Sequence, residues 1–330
     1  MSQVQPFRWA IAGYGSVAAG GHHQGILRNQ QTLVGFTTTK RAVQHGDTSR
    51  MAFNMGPVIA PFDASRMIVA GRPDDEWLER LRGNVDAIVV STSSPTHLEV
   101  AGYILKAGFD CFVEKPLALN FKDGNRINEI AKAAGRKLLV AHVLPAIAPF
   151  AYLRKMILEK GLENLRTLTM ERYVPWSLVE ADDPKAHGEG FFMDLGIHDL
   201  HFVASLGADA TLSGLTPKKR FGNLQFAEVK INLDGFDRAD VTVKAGATEK
   251  VTGFYHGFFA RFSDTSTLTY DGTVLKRHTT VIELPAQPPA DFFGDELILA
   301  AGYFRGEKDP GYLGVDYALR ALQIIGLASS

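Results

Sequence analysis

Cys111 is the single cysteine in 330 residues, so neither an internal disulfide nor a paired-cysteine metal site can be built. That scarcity fits a reducing compartment, and a cytoplasmic location is expected. Charge of one sign is also lacking. Lys plus Arg total 35 against 36 Asp plus Glu, a net charge of -1, so no basic field draws nucleic acid or an anionic membrane surface. No run of about 18 apolar residues is present to span a bilayer. The opening "MSQVQPFRWAIAGYG" has one Arg and no apolar stretch of the length a secretory signal needs. What remains as the expected partner is a small molecule.

The hydrophobic content of 45% is enough to bury a sizeable core, and the length predicts two domains. Over residues 1–145, short apolar strands alternate with amphipathic helices: "RWAIAG", "TLVGFT", "VDAIVVS", "DCFVE" and "KLLVAH". Continuous apolar strands are covered on both faces, so this part reads as a doubly wound parallel sheet of Rossmann type. Thr96 and Glu99 have the spacing of a capping box for a helix that Gly108 ends. Between Arg41 and Gly83, Gly and Pro interrupt the periodicity, and a short strand with two helices is expected. Residues 146–330 change texture. "AYLRKMILEKG" and "FFMDLGIHDLHFVASLG" read as helices, Ala210 to Leu284 as strand after strand with a turn at Asp271-Gly272. This predicts a C-terminal α+β domain on a large, mostly antiparallel open sheet, closed by an amphipathic helix over about 312–328 that packs back on the body.

Gly13, Gly15 and Ala18 form GxGxxA between the first strand and its helix. The spacing allows a tight turn and close approach of a pyrophosphate to free helix amides, with Ser16 and Val17 opening the helix. At the end of the second strand an NAD-binding protein usually carries an acid. Here Thr37, Thr38, Thr39, Lys40 and Arg41 offer hydroxyls and two cations, which suit a 2′-phosphate, so NADP is expected ahead of NAD.

With "AGYGSVA", the stretch "STSSPTHLEVAGYILKAGFDCFVEKPLA", "GEGFFMDLGIHDLHF" and the closing helix, the chain resembles the Gfo/Idh/MocA oxidoreductases, the family of glucose-fructose oxidoreductase and inositol dehydrogenase. The resemblance implies a cis Lys115-Pro116 bond beside the nicotinamide, and places Ser91, Thr92, Pro95, His97, Glu114 and Lys115 along the cofactor. It also implies a catalytic set of Lys115, Asp194 and His198, and homodimers or homotetramers built on the open face of the second sheet. Asp194, His198 and His201 fall at i, i+4 and i+7 on one helix face. An imidazole with a pKa near ~6.5 is suited to accept the proton of a secondary alcohol, and a Lys to stabilise developing alkoxide charge. The activity implied is hydride transfer between nicotinamide and a polyol, sugar or similar cyclic substrate. A hydrolase or lyase with transient oxidation, and a non-catalytic ligand sensor, are the alternatives on the same fold.

Asp194, His198 and His201 could also supply three metal ligands, but the helix lacks the HExxH pattern and no metal is expected. Many family members have Asp where this chain has His201, and an aromatic-Arg pair where it reads "VLPAIAPF". His142, Trp176 and His201 are therefore the candidate substrate contacts. His22, His23, His45 and His256 have no partner that the sequence names.

Overall fold

The computed structural model describes residues 5–53, 56–181, 185, 188–207, 210–233 and 239–329. The first four residues of the opening segment, and residues 234–238 within the Ala210–Leu284 run, lie outside the described residues. The chain divides into two compact units: residues 1–118, 122–146 and 287–315 form one, and 119–121, 147–286 and 316–330 the other.

The first unit is a six-stranded parallel sheet of β1 (Arg8–Ala12), β2 (Thr32–Thr37), β3 (Ile68–Ala70), β4 (Ala87–Val90), β5 (Cys111–Val113) and β6 (Leu138–Val140). The order is β3-β2-β1-β4-β5-β6, which is the doubly wound arrangement with its switch point between β1 and β4. The helices are α1 (His23–Arg28), α2 (Arg41–Gln44), α3 (Asp75–Leu81), α4 (His97–Lys106) and α5 (Phe121–Ala134). Every residue of β4, β5 and β6 is buried, as two covered faces require. Between Arg41 and Gly83 the expected strand and two helices are β3, α2 and α3, all short.

The capping box is a correction. Thr96 makes no side-chain cap to its helix. Its hydroxyl instead donates to Ser93 O at 2.7 Å and lies 2.8 Å from the Thr92 hydroxyl, from which it can accept, because a 3-10 turn over Ser94–Thr96 starts the helix early. Gly108, at φ +92°, ends that turn of chain as expected.

In the second unit, α6 (Ala148–Lys160), α7 (Ser177–Glu180) and α8 (Phe191–Ala204) accompany an eight-stranded sheet. Its strands are β7 (Leu165–Pro175), β8 (Ala210–Arg220), β9 (Asn223–Leu233), β10 (Asp240–Thr248), β11 (Tyr255–Phe262), β12 (Thr267–Tyr270), β13 (Leu275–Arg277) and β14 (Thr280–Ile282). The order is β14-β13-β12-β11-β7-β10-β9-β8. All pairings are antiparallel except β7 with β10, which are parallel. β7, the central strand, has no counterpart in the sequence expectation. The Asp271-Gly272 turn is present: Asp271 Oδ1 accepts from the amides of Thr273 at 3.0 Å and Val274 at 2.9 Å, and Gly272 takes φ +92°.

After the sheet the chain returns to the first unit as α9 (Pro289–Arg305) before α10 (Val315–Ser329). Two glycines allow α9 to lie on α1 and on the helical turn Ala18–His22 before it: a Cβ on Gly25 would sit 2.9 Å from Gly294 N, and one on Gly21 2.7 Å from the Phe293 ring. Leu297, Ala300, Ala301 and Phe304 of α9 join Trp9, Ile11, Phe36 and Phe112 in one buried core.

Candidate active site

In the first unit the GxGxxA turn is built against the β4 exit. Gly13 has φ +92°, and a Cβ there would come within 2.8 Å of Ser91 O and Thr92 N, so both conformation and space demand glycine. Its amide donates to Thr37 Oγ1 at 3.1 Å, while Tyr14 N donates to Thr37 O at 2.7 Å. A Cβ on Gly15, by contrast, would meet nothing within 4 Å. The loop is therefore closed on its protein side and open on the other, with helical residues beginning at Ser16. That open side next to free helix amides fits a pyrophosphate.

The five residues expected around a 2′-phosphate divide into two groups. Thr37 and Thr38 are buried, and their polar groups serve the fold: Thr38 Oγ1 accepts from Lys40 N at 3.3 Å and Thr38 O from Gln44 Nε2 at 2.8 Å. Thr39, Lys40 and Arg41 are exposed at the start of α2.

At the β5 exit the Lys115-Pro116 bond is cis, as the family resemblance implies. His97 ties this loop to the β4 exit, with Nδ1 2.9 Å from Pro116 O and Nε2 3.1 Å from Thr92 O. Lys115 is half-buried. Glu114 Oε1 meets His22 Nε2 at 2.7 Å, and Oε2 accepts from Lys115 N at 3.0 Å. Burial pushes the Glu114 carboxyl up, but His22 and the neighbouring Lys115 outweigh it and hold the group below the ordinary carboxylate range. Glu114 is therefore a buried carboxylate with a built partner. His142, just past β6, is fully buried in the same unit.

The second unit carries α8, and every one of its residues from Phe191 to Ala204 is buried. Asp194 and His198 are each 9% exposed and His201 is fully buried, so the polar stripe is not a solvated face. Buried polar groups on one helix face call for partners or for a use. Asp194 Oδ2 accepts from Lys185 Nζ, and His201 lies edge-on to the Tyr317 ring of α10 at 6.3 Å. Trp176 stands at the end of β7 with Lys218 Nζ 3.5 Å from its ring centre. Beside α8, a cleft is lined by Phe192, Met193, Glu189, Lys219, Asn223 and Ile325 among others. Among the described residues no group of three or more His, Cys, Asp or Glu is placed to hold a metal ion, and no helix is long and apolar enough to cross a membrane.

One cluster had no sequence signal. Asp199 on α8 accepts from Arg172 Nε of β7 at 2.9 Å, and Arg172 donates from its other arm to His256 Nε2 of β11 at 2.8 Å. Because Nε2 accepts from Arg172, its 3.3 Å approach to Asp199 Oδ1 is not an ion pair. Burial, then Arg172, lowers the His256 pKa to about 4, so the ring is neutral and stacks on Phe150 at 4.1 Å. Burial disfavours the Asp199 carboxylate, but Arg172 more than compensates, and its pKa is lowered. The three side chains bolt α8 to the sheet immediately beside His198.

This predicts an acid-labile fold. His256 takes up a proton readily when unfolded, near ~6.5, but only near 4 when folded, so its share of stability is present above ~6.5 and is lost as pH falls toward 4. His23, whose pKa burial lowers to about 4, contributes in the same sense from the first unit. His256→Gln should therefore flatten part of the fall in thermal midpoint between about pH 6.5 and about pH 4. Parallel curves for the two proteins would assign the loss elsewhere.

A model of an oxidoreductase family with an NAD-binding Rossmann fold matches residues 7–142. The UDP-N-acetylglucosamine 3-dehydrogenase of Acidithiobacillus ferrooxidans is 29% identical over 129 residues, covering 39% of this chain and 38% of that protein. An inositol 2-dehydrogenase of Klebsiella pneumoniae is 32% identical over 144 residues, covering 43% and 39% respectively. In sequence, the chain thus aligns with less than half the length of these relatives. The solved structure of the Acidithiobacillus protein matches over 98% of both chains with a TM-score of 0.70 and 18% identity. That of a probable dehydrogenase from Thermotoga maritima matches over 96% of this chain and 94% of the other, with a TM-score of 0.74 and 16% identity. At these identities the structures share the fold.

Proposed function

The chain belongs, through residues 7–142, to the Gfo/Idh/MocA oxidoreductase family, and from that premise we propose that it transfers a hydride between NADP and a secondary alcohol or ketone of a polyol, sugar or similar cyclic substrate. The observation that carries this reading is the β5 exit. There a cis Lys115-Pro116 loop, tied to the β4 exit by His97, stands at the carboxyl ends of a parallel sheet beside a glycine turn with an open side. Ligands of doubly wound sheets bind at that edge.

Gly13, Gly15, Ser16 and Val17 hold the pyrophosphate, and Thr39, Lys40 and Arg41 the 2′-phosphate. Ser91, Thr92, Pro95, His97, Glu114 and Lys115 line the way to the nicotinamide. The bound nicotinamide supplies the hydride acceptor or donor. Lys115 donates to the substrate oxygen and stabilises the negative charge that develops on it. His198 accepts the hydroxyl proton in oxidation and returns it in reduction. Asp194 orients the imidazole or fixes a substrate hydroxyl, while His142, Trp176 and His201 contact the substrate. The second sheet's open face joins subunits into a homodimer or homotetramer, and the protein works in the cytoplasm.

NADP preference is tested by titrating both nucleotides. NADP should bind more tightly than NAD, and Lys40→Ala with Arg41→Ala should narrow the gap by about tenfold, the loss of one or two charge-assisted contacts at an exposed site. Equal affinities in the unaltered protein would remove the argument. Turnover is sought by screening polyols, sugars and keto-sugars for a change in nicotinamide absorbance.

A further inference from the structure

β2 and β3 leave the first unit's sheet side by side. They pair in parallel, Gly35 with Ile68, Phe36 with Val69 and Thr37 with Ala70, and Thr38 N donates to Ala70 O at 3.0 Å just past the end of β2. Gln44 of α2 ties the two exits again: its Nε2 donates to Thr38 O at 2.8 Å, and a Cβ on Gly71 would stand 3.8 Å from the same nitrogen. Neighbouring strands run about 5 Å apart. Arg72, just past β3, therefore emerges beside Thr39, just past β2, with Lys40 and Arg41 next along the chain.

Lys40, Arg41 and Arg72 are all exposed, and among the described residues none of their side chains is taken up by a hydrogen bond or an ion pair. Carboxylates on the adjoining elements are engaged elsewhere. Asp74 Oδ1 caps α3 by accepting from Trp77 N at 2.9 Å, and Asp75 Oδ1 accepts from the Tyr103 hydroxyl. Asp63 Oδ1 accepts from Ser65 N at 2.9 Å, and Asp47 Oδ1 from Ser49 N at 3.0 Å. Elsewhere in the unit Arg8, Arg28, Arg82 and Arg126 each pair with a carboxylate. At the β2 and β3 exits three cations stand together with no such partner.

The β1-β2-β3 half of a doubly wound sheet receives the adenosine of a dinucleotide, and the residues past β2 meet the ribose 2′ position. A 2′-phosphate carries close to two negative charges near neutral pH and three acceptor oxygens. The Thr37 and Thr38 hydroxyls already accept from Gly13 N and Lys40 N, so binding falls chiefly to the cations. We propose that Arg72 is a specificity-determining residue for NADP: its guanidinium takes the 2′-phosphate from the β3 exit while Lys40 and Arg41 take it from the β2 exit. A planar fork offers two parallel N–H donors to one phosphate, which an ammonium cannot. An unphosphorylated ribose gives that fork nothing to hold. The inference rests on the proposed function in taking the nucleotide as NADP, and it adds a residue that neither the glycine spacing nor the run after β2 points to.

The test uses the full chain and two variants, Arg72→Ala and Arg72→Lys, with NADPH and NADH each titrated by its fluorescence. Arg72→Ala should weaken NADPH binding about tenfold and leave NADH within about twofold of the unaltered protein. Arg72→Lys, which keeps the charge and loses the fork, should fall between the two for NADPH. Thermal midpoints without nucleotide should agree within about 1 °C, because the Arg72 side chain holds nothing in the fold. If the unaltered protein prefers NADPH and Arg72→Ala keeps the full preference, the role of Arg72 is overturned and NADP binding stands. An equal loss of NADPH and NADH affinity overturns it too, as a general electrostatic or folding effect. An unaltered protein that binds NADH as tightly as NADPH sinks the NADP reading itself, and Arg72 with it.

Discussion

His198→Asn should lower turnover by about 10² to 10⁴ while leaving nucleotide affinity nearly unchanged. The substitution keeps most of the shape and one hydrogen-bonding arm, but Asn cannot accept and hold a proton near neutral pH. His198 lies on α8, a helix whose every residue is buried, and Asp199 beside it is fixed by Arg172. The helix should therefore stay in place in the variant, and the loss should read as chemistry rather than folding. The measurement is steady-state turnover with the substrate found by screening, accompanied by a thermal melt. An active variant with an unaltered pH profile would show that another group takes the proton.

Lys115→Met should be at least as severe, with turnover down by about 10² or more. Methionine keeps an apolar stem but removes the ammonium that meets the developing alkoxide. Lys115→Arg should fail as well, because a planar guanidinium has a different reach and presents its charge as a fork rather than a point. In both variants the loss should fall on the hydride-transfer step more than on nucleotide binding. Single-turnover rates separate the two. An unaltered rate in Lys115→Met would leave Lys115 a structural residue at a strand exit.

What could be read in the sequence was what is local in it. Gly13 is visible because a positive φ and a close backbone neighbour fall on one residue, and its spacing to Gly15 is short. α8 is legible because its apolar residues recur at helical spacing beside the polar stripe of Asp194, His198 and His201, and the turn at Asp271-Gly272 because its chemistry lies within four residues. The cis Lys115-Pro116 bond came from resemblance, not from periodicity.

The rest is held by pairs that are remote in sequence. Glu114 finds His22 at a separation of 92 residues, and Arg172 finds His256 at 84. No local pattern encodes such partners. The sequence reading has no helix at α9, which follows the strand-forming run, yet α9 completes the core of a unit that starts nearly 300 residues earlier. β7, central in its sheet, has no clear strand pattern, since it carries the buried cation Arg172 where alternation calls for an apolar residue. The capping box failed for a related reason: Thr96 and Glu99 have the right spacing, but a 3-10 turn spends the Thr96 hydroxyl on its own loop.

The most direct test of hydride transfer is a stopped-flow mixing of the purified protein and NADP with each candidate polyol or sugar, followed at the nicotinamide absorbance. The account predicts that at least one cyclic alcohol reduces NADP in stoichiometric amount, and that Lys115→Met and His198→Asn abolish the signal while still binding the nucleotide. A protein that binds neither NADP nor NAD, or whose signal survives both substitutions, would contradict it.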